Sequence, residues 1–297
     1  MRTVIVLIKR NTKLFFKDKG MFFTSLITPA ILLVLYGTFL GNVYRDSFTA
    51  GLPEGLTLPE HLIEGLVGSQ LISSILAVSC VTVAFCSNFL MVQDKTNGCI
   101  KDLRISPVKS SALSISYYIA SLLSTFIICF SAAGICLIYT AVVGWYLSAS
   151  DVLLLFFDII LLVLFGTALS SIINFFLSTQ GQISAVGSII SAGYGFICGA
   201  YMPISSFGSG LQKIVLFLPG TYGTSLVRNH AMRGVLAEMQ NEGLPPEVIV
   251  SLKDALDCNL YFFGSQVSIP IMYLILGGTA ALLIAVYILL NMLKKKV

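Results

Sequence analysis

The sequence predicts an all-α polytopic membrane protein with six transmembrane helices. Of its 297 residues, 56% are hydrophobic and only 11% are charged, whereas soluble domains carry about 25% charged residues. The apolar residues form uninterrupted runs long enough to cross a bilayer, which takes about 20 residues per helix. The basic residues lie at the ends of these runs. They therefore indicate contact with the lipid bilayer and argue against nucleic acid as a partner.

Residues 1–20 predict a cytoplasmic amphipathic helix at the membrane interface. Six lysines and arginines alternate with valine, leucine, isoleucine and phenylalanine. This pattern is typical of a helix that lies against anionic lipid. A basic leader that only sets the topology is the alternative. Residues 21–297 then form the transmembrane domain.

Six apolar runs predict the spans, and a longer interruption separates the last two of them. The runs cover residues 21–43, 65–92, 114–143, 152–177, 183–200 and 270–293. Residues 201–268 are predicted to be re-entrant and external. The apolar stretch 211–218 is too short to cross a membrane, which indicates re-entrant helices after the fifth span. The acidic stretch 221–260 predicts a small external helical subdomain.

The distribution of charge predicts the orientation. Residues 1–20, the polar loop 93–111 and the C-terminal tail together hold 13 of the 18 lysines and arginines. Loops rich in lysine and arginine stay in the cytoplasm. The sequence therefore predicts a multi-pass protein of the plasma (inner) membrane with both termini and the polar loop in the cytoplasm.

No catalytic constellation, phosphate-binding loop or metal-ligand spacing occurs in the sequence. The seven cysteines show no C-x-x-C pair and are interpreted as small membrane-embedded hydrophobic residues. Asp158 is the one ionisable residue clearly inside a predicted span. An intramembrane carboxylate indicates a functional site, and Asp158 could carry protons in a proton-coupled secondary transporter. A hydrogen bond to a neighbouring Ser, Thr or Tyr is the equally weighted alternative.

Small residues recur every four positions along the predicted fifth span and therefore share one helical face. Such a stripe allows close helix packing. It indicates either a homodimeric seam or packing within one chain, and the spacing does not separate the two. The stripe consists of Gly187, Ser191, Gly195 and Gly199.

Two motifs resemble those of type-2 ABC permeases, the membrane subunits of ATP-binding-cassette exporters. The first is the polar loop, with Gly98, Leu103 and Ser106-Pro107-Val108 before the next span. The second follows the fifth span and resembles the family signature. It consists of Gly199-x-x-x-Pro203, Leu211, Leu218-Pro219-x-Thr221-Tyr222, Arg228 and Gly234. The resemblance covers essentially the whole chain.

The resemblance implies that the chain binds no cofactor and is not itself an enzyme. ATP and magnesium would bind a separate cytoplasmic ABC ATPase subunit, which contacts the N-terminal helix and the polar loop. Residues 97–107 would form the docking helix. The implied coupling residues are Asp94, Lys95, Asn97, Gly98, Lys101, Leu103, Arg104 and Pro107.

The resemblance also implies a dimer of two permeases, either two copies or one copy with a related permease. The cargo path would lie between them and be lined by the second and fifth spans. The path candidates are Gln70, Ser73, Asn88, Tyr194 and Phe196, and the re-entrant signature residues are Pro203, Pro219, Tyr222 and Arg228. A long, acidic external segment favours an amphipathic or hydrophobic cargo, such as a drug, an antimicrobial peptide or a lipid-like molecule. Export of a lipid-linked polysaccharide is the alternative cargo.

Overall fold

The computed structural model describes residues 2–50, 58–106 and 108–293, and these residues are mostly helical. A π-helical turn, Tyr36–Leu40, joins the second and third helices, and a 3₁₀ turn, Ile204–Ser206, follows the eighth. The α-helices are α1 (Arg2–Lys17), α2 (Lys19–Leu35), α3 (Gly41–Ala50), α4 (Glu60–Thr96), α5 (Cys99–Ile105), α6 (Ser110–Val143), α7 (Ala149–Phe176), α8 (Gln180–Ile197), α9 (Ser209–Val215), α10 (Pro219–Asn241), α11 (Pro246–Ala255) and α12 (Ile269–Leu293).

A short antiparallel hairpin departs from the predicted all-α class. Strand β1 (Leu260–Phe262) pairs with strand β2 (Ser265–Val267). Phe263 and Gly264 form the two-residue turn, and both have positive φ. A tight turn with this backbone brings the two strands together. The hairpin ends two residues before α12 begins.

Within the described ranges, five helical segments are long and apolar enough to cross a membrane. These are Lys19–Asp46, Glu60–Thr96, Ser111–Val143, Ala149–Phe176 and Ile269–Leu293. They correspond to the first four predicted spans and the last one.

The predicted fifth span corresponds to α8, which is not among these five segments. It has 18 residues and a length of about 27 Å at 1.5 Å per residue. The hydrocarbon core of a bilayer is about 30 Å thick. Nine of its 18 residues are glycine, serine or glutamine, so α8 has no stretch as apolar as those in the five segments. The count of six spans stays a prediction.

Helix α4 is the central element of the bundle. Its 37 residues extend about 55 Å, which is longer than a bilayer is thick. Its most apolar stretch is completely buried, because α2, α6, α7, α8 and α10 pack around it. Polar side chains on α4 therefore meet other helices of the same chain.

The N-terminal helix α1 buries one narrow face against α6. Leu7, Asn11 and Phe15 form that face, since residues four apart lie on the same side of a helix. Asp18 then separates α1 from α2, and its side chain accepts a hydrogen bond from the Met21 amide (3.1 Å). This N-cap fixes the start of the first membrane-spanning segment.

The segment predicted to be external begins with α10, which packs inside the bundle. Most of its 23 residues are buried, and it contacts α4, α7 and α12. Its Arg228 and His230 side chains are buried against acidic partners, as described below. The predicted subdomain therefore shares its first helix with the membrane bundle.

Candidate functional site

The polar loop 93–111 is joined to the bundle through Asp94. The Arg10 guanidinium donates to Asp94 Oδ2 at 2.8 Å, and the Tyr117 hydroxyl donates to the same oxygen. Asp94 is buried, and a buried carboxylate needs such partners. Arg10 lies on α1, Asp94 on α4 and Tyr117 on α6. The predicted docking contact is thus an internal junction of three helices.

Lys95 joins the same loop to the end of α7. Its Nζ donates to the backbone oxygens of Asn174 (3.0 Å), Phe175 (3.1 Å) and Leu177 (3.1 Å). The last carbonyls of a helix lack intrahelical donors, and a lysine near a helix C-terminus also interacts favourably with its dipole. Lys95 therefore connects the end of α4 to the end of α7.

The outward part of the loop is the short helix α5. Gly98 precedes it with φ +80°, a left-handed conformation that glycine adopts without steric cost. Leu103 packs against the core, whereas Asn97 and Lys101 are exposed. Ile105, which the sequence analysis did not select, is 86% exposed. The side chain of Arg104, and Pro107 as a whole, lie outside the described residues.

A cleft of about 470 Å³ lies between α2, α4 and α8. It has the volume typical of a small-molecule site. Helix α4 contributes Cys86, Phe89 and Gln93. Helix α2 and the residues before it contribute Asp18, Gly20, Met21, Thr24 and Ile27, and α8 contributes Gln180, Ile183, Ser184, Gly187, Ser188 and Ser191. Hydroxyl and amide groups alternate here with apolar groups.

The path residues predicted on α4 are not part of this cleft. Asn88 is buried and donates to the hydroxyls of Ser170 and Ser171, both at 2.7 Å, while Ser121 donates to its carbonyl oxygen. Gln70 and Ser73 are also fully buried. Asn88 thus connects α4 to α6 and α7. The helix rotation that directs these groups inward is not visible in the sequence.

The two path residues predicted on α8, Tyr194 and Phe196, also lie apart from the cleft. Tyr194 is buried beneath α10, and its hydroxyl lies against the Gly220 backbone. Phe196 is partly exposed and contacts the Tyr201 ring edge-on, at 5.0 Å between centroids. The structure therefore does not bring the five predicted path residues together on one surface.

The small-residue stripe of α8 packs largely within the chain. Gly187 lies against the Phe89 ring, and Gly195 against the Tyr201 ring. Ser191 lines the cleft. Gly199 ends the helix with φ +74°, the left-handed termination that favours glycine. These contacts favour the intrachain alternative for the stripe.

The signature after α8 forms a buried network around Arg228, which is 1% exposed. Its guanidinium donates to the carbonyl oxygens of Leu256 (2.8 Å) and Gly199 (2.9 Å) and to Asp257 Oδ2 (3.3 Å). Asp257 also accepts from the Ile204 amide at 2.8 Å. Burial raises the pKa of Asp257, and Arg228 and the Ile204 amide partly oppose that increase.

The remaining signature residues shape the turn before α10. Pro219 occupies the first turn of α10, where a missing backbone N–H is tolerated. The Tyr222 hydroxyl donates to the Leu216 carbonyl at 2.6 Å. Pro203 precedes the 3₁₀ turn. Together with Arg228 they connect α8, α9 and α10.

Asp158 meets a histidine and a tyrosine that the sequence analysis did not associate with it. His230 Nδ1 of α10 lies 2.6 Å from Asp158 Oδ2, and the Tyr273 hydroxyl of α12 donates to Oδ1 at 2.6 Å. One turn further on, Arg233 pairs with Asp151 at 2.5 Å. The two pairs occur in opposite order along α7 and α10, as in antiparallel helices, but they are seven residues apart on α7 and three apart on α10. The spacing in the sequence therefore does not indicate the pairing.

Among the described residues, no group of three or more His, Cys, Asp or Glu side chains is arranged to hold a metal ion. The Asp158 cluster contains one carboxylate and one imidazole, and the Tyr273 hydroxyl donates to that carboxylate. Because the three residues belong to α7, α10 and α12, the cluster connects these helices.

Comparison with known proteins identifies the family. The family model described as ABC-2 type transporter matches residues 2–231. No curated protein and no solved structure matched the chain. The matched region includes α1, the polar loop, the cleft and Arg228. The chain belongs to the ABC-2 type transporter family and is a multi-pass membrane permease of this class.

Proposed function

We propose that the chain is the membrane subunit of an ABC exporter that is powered by a separate cytoplasmic ATPase. The observation that carries this proposal is the construction of the polar loop. Its outer helix α5 presents Ile105 and Lys101 to solvent. Its inner end is joined to α1 and α6 through Asp94, and to α7 through Lys95.

This construction suits the transmission of movement. Ile105 stands between Arg104 and Ser106 in the sequence, and exposed apolar surface rimmed by polar residues marks protein interaction sites. A force on α5 would reach three other helices through side chains that have buried partners. The ATPase would bind ATP and magnesium, and this chain would supply the path for the cargo.

The proposed path includes the cleft between α2, α4 and α8. The side chains of Thr24, Ser184 and Ser188 offer hydroxyl groups beside the apolar Ile27 and Phe89. Such a mixed lining suits an amphipathic or hydrophobic cargo, namely a drug, an antimicrobial peptide or a lipid-like molecule. A lipid-linked polysaccharide is the alternative cargo, and transport assays with both classes distinguish them.

The proposed topology has six spans, with α8 as the fifth and the segment after it re-entrant. Both termini would lie in the cytoplasm, and two permeases would pair, either as identical copies or with a related chain. A fluorescent protein fused to the C-terminus should fluoresce, and alkaline phosphatase fused there should be inactive. The reverse pattern would contradict this orientation.

The exporter proposal is tested by replacing Ile105 with Asp. The variant should insert into the membrane normally and lose most transport in proteoliposomes that contain the ATPase. Val250, which is 50% exposed on α11, provides the control, because Val250→Asp should leave transport near the wild-type rate. Wild-type transport in Ile105→Asp would contradict the docking assignment.

A proton-coupled secondary transporter that uses Asp158 is the second candidate. The buried Asp158–His230 contact is the observation that favours it. This candidate predicts uptake driven by a pH gradient without ATP, and its loss in Asp158→Asn. The exporter proposal predicts no transport without the ATPase under the same gradient.

A further inference from the structure

A groove of about 530 Å³ lies between the start of α6 and the end of α12, apart from the cleft and from helix α5 of the polar loop. Its volume falls within the range of about 300–1,000 Å³ that ligand sites occupy. Most of its lining is apolar. The lining residues are Ser111, Ser114, Ile115, Tyr118, Ile119, Ile284, Tyr287, Ile288, Asn291 and Met292.

The groove has a polar end and an apolar end. Helices α6 and α12 run in opposite directions across the bundle, so the first turns of α6 lie beside the last turns of α12. Ser111 and Ser114 therefore share one end with Asn291. Ile119 and Ile284 lie at the deeper end. This polarity gradient matches a molecule with a polar head and an apolar chain.

One buried polar atom of the groove lining has no partner within the described part of the chain. The Tyr118 hydroxyl is buried and makes no hydrogen bond, although its ring stacks on Tyr287 at 5.7 Å. The Tyr287 hydroxyl, by contrast, donates to the Ser114 carbonyl at 3.4 Å. An unpaired buried hydroxyl is costly. An ester or phosphate oxygen of a ligand would satisfy it.

A basic residue lies next to the polar end. Lys109 immediately precedes α6, two residues before Ser111, and is exposed. Basic pockets between transmembrane helices on the cytoplasmic side bind anionic lipid headgroups. The charge, the polarity gradient and the unpaired hydroxyl point to the same class of ligand.

We infer that this groove binds an anionic phospholipid of the cytoplasmic leaflet. An acyl chain lies along Ile115, Ile119 and Ile288, an ester oxygen accepts from Tyr118, and the phosphate lies near Lys109. The choice of leaflet rests on the orientation under Proposed function. Because α6 begins within the last residues of the polar loop, bound lipid would stabilise the first turns of the span beside that loop.

The test compares lipids on the full-length protein purified in detergent. Phosphatidylglycerol or phosphatidylcholine is added, and the bound lipid is counted by native mass spectrometry. Wild-type protein should retain phosphatidylglycerol in preference to phosphatidylcholine. Lys109→Gln should weaken retention of phosphatidylglycerol about fivefold, which corresponds to one lysine near an anionic surface.

A matched pair of variants locates the site. Ile115 in the groove and Ile127 elsewhere on α6 are 48% and 50% exposed. Ile115→Trp should fill the groove and remove the retained phosphatidylglycerol, and Ile127→Trp should not. Tyr118→Phe, which keeps the ring, should weaken retention without altering the helical content measured by circular dichroism.

Equal retention of the two lipids, or equal retention by Ile115→Trp and Ile127→Trp, would overturn the inference. The measurement requires neither the ATPase nor a cargo. A negative result would therefore leave the exporter proposal standing. Conversely, a C-terminus found outside the cytoplasm would refute the leaflet assignment and the proposed topology together.

Discussion

The polar loop 93–111 and helix α10 are two of the segments whose polar residues interrupt the apolar sequence, and the structure uses them in opposite ways. The polar loop exposes Ile105 and Lys101, and its inner end is held by the buried Asp94 and by Lys95. Helix α10 buries Arg228 and His230 against acidic partners. Polar composition alone therefore does not decide whether a segment faces water. The positions of opposite charges on neighbouring helices decide it.

Removing Arg228 should have the largest effect on stability. Arg228→Met leaves Asp257 and two carbonyl oxygens without their buried donor, and breaking such a pair costs about 3–5 kcal/mol. The melting temperature of the purified protein should fall sharply. The double variant Arg228→Met, Asp257→Asn should recover part of the lost stability. An Arg228→Met variant as stable as the wild type would refute the importance of this network.

Removing Asp94 should have the next largest effect and should act on α1. Asp94→Ala deprives Arg10 of its partner and removes the acceptor of the Tyr117 hydroxyl, at a cost of about 1–3 kcal/mol. Hydrogen exchange should then increase in residues 2–17 more than in α12. Unchanged exchange in α1 would show that its apolar face alone holds it in place.

Replacing Lys95 should have a smaller effect that is confined to the end of α7. Lys95→Met leaves three carbonyl oxygens to water, and a charge at a helix C-terminus contributes about 0.3–1 kcal/mol. We expect faster hydrogen exchange around residues 174–177 and weaker coupling of ATP hydrolysis to transport. Lys101→Met, which removes an exposed lysine of α5, is the control for exchange at α7 and should leave it unchanged.

Replacing Arg233 should have the smallest effect, although it lies on the same helix as Arg228. Its side chain is 51% exposed, and the buried Asp151 keeps its hydrogen bonds from Ser148 when Arg233 is replaced. We therefore expect this half-exposed pair to contribute about 0–1 kcal/mol. Arg233→Gln should lower the melting temperature only slightly. A loss as large as that of Arg228→Met would contradict the contrast between buried and exposed pairs on α10.

Much of the fold follows from the sequence, because long apolar runs specify membrane helices directly. Five of the six predicted spans correspond to segments long and apolar enough to cross a membrane. The family was also identified from the polar loop and from the signature around Arg228, and the family model confirms it.

Side-chain partners could not be predicted in the same way. The direction of Asn88 depends on the rotation of α4, and the contact between Asp158 and His230 depends on how α7 and α10 are placed side by side. The exposure of Ile105 likewise depends on which face of α5 packs against the bundle. These features arise from tertiary packing and leave no periodic pattern in the sequence.

Photo-crosslinking at Ile105 tests the central claim most directly. Benzoylphenylalanine replaces Ile105 or, as the control, Val250, in cells that produce the permease with its ATPase. We predict an adduct with the ATPase subunit from position 105 and none from position 250. No adduct at 105, or equal adducts at both positions, would contradict the assignment of α5 as the site where the ATPase acts.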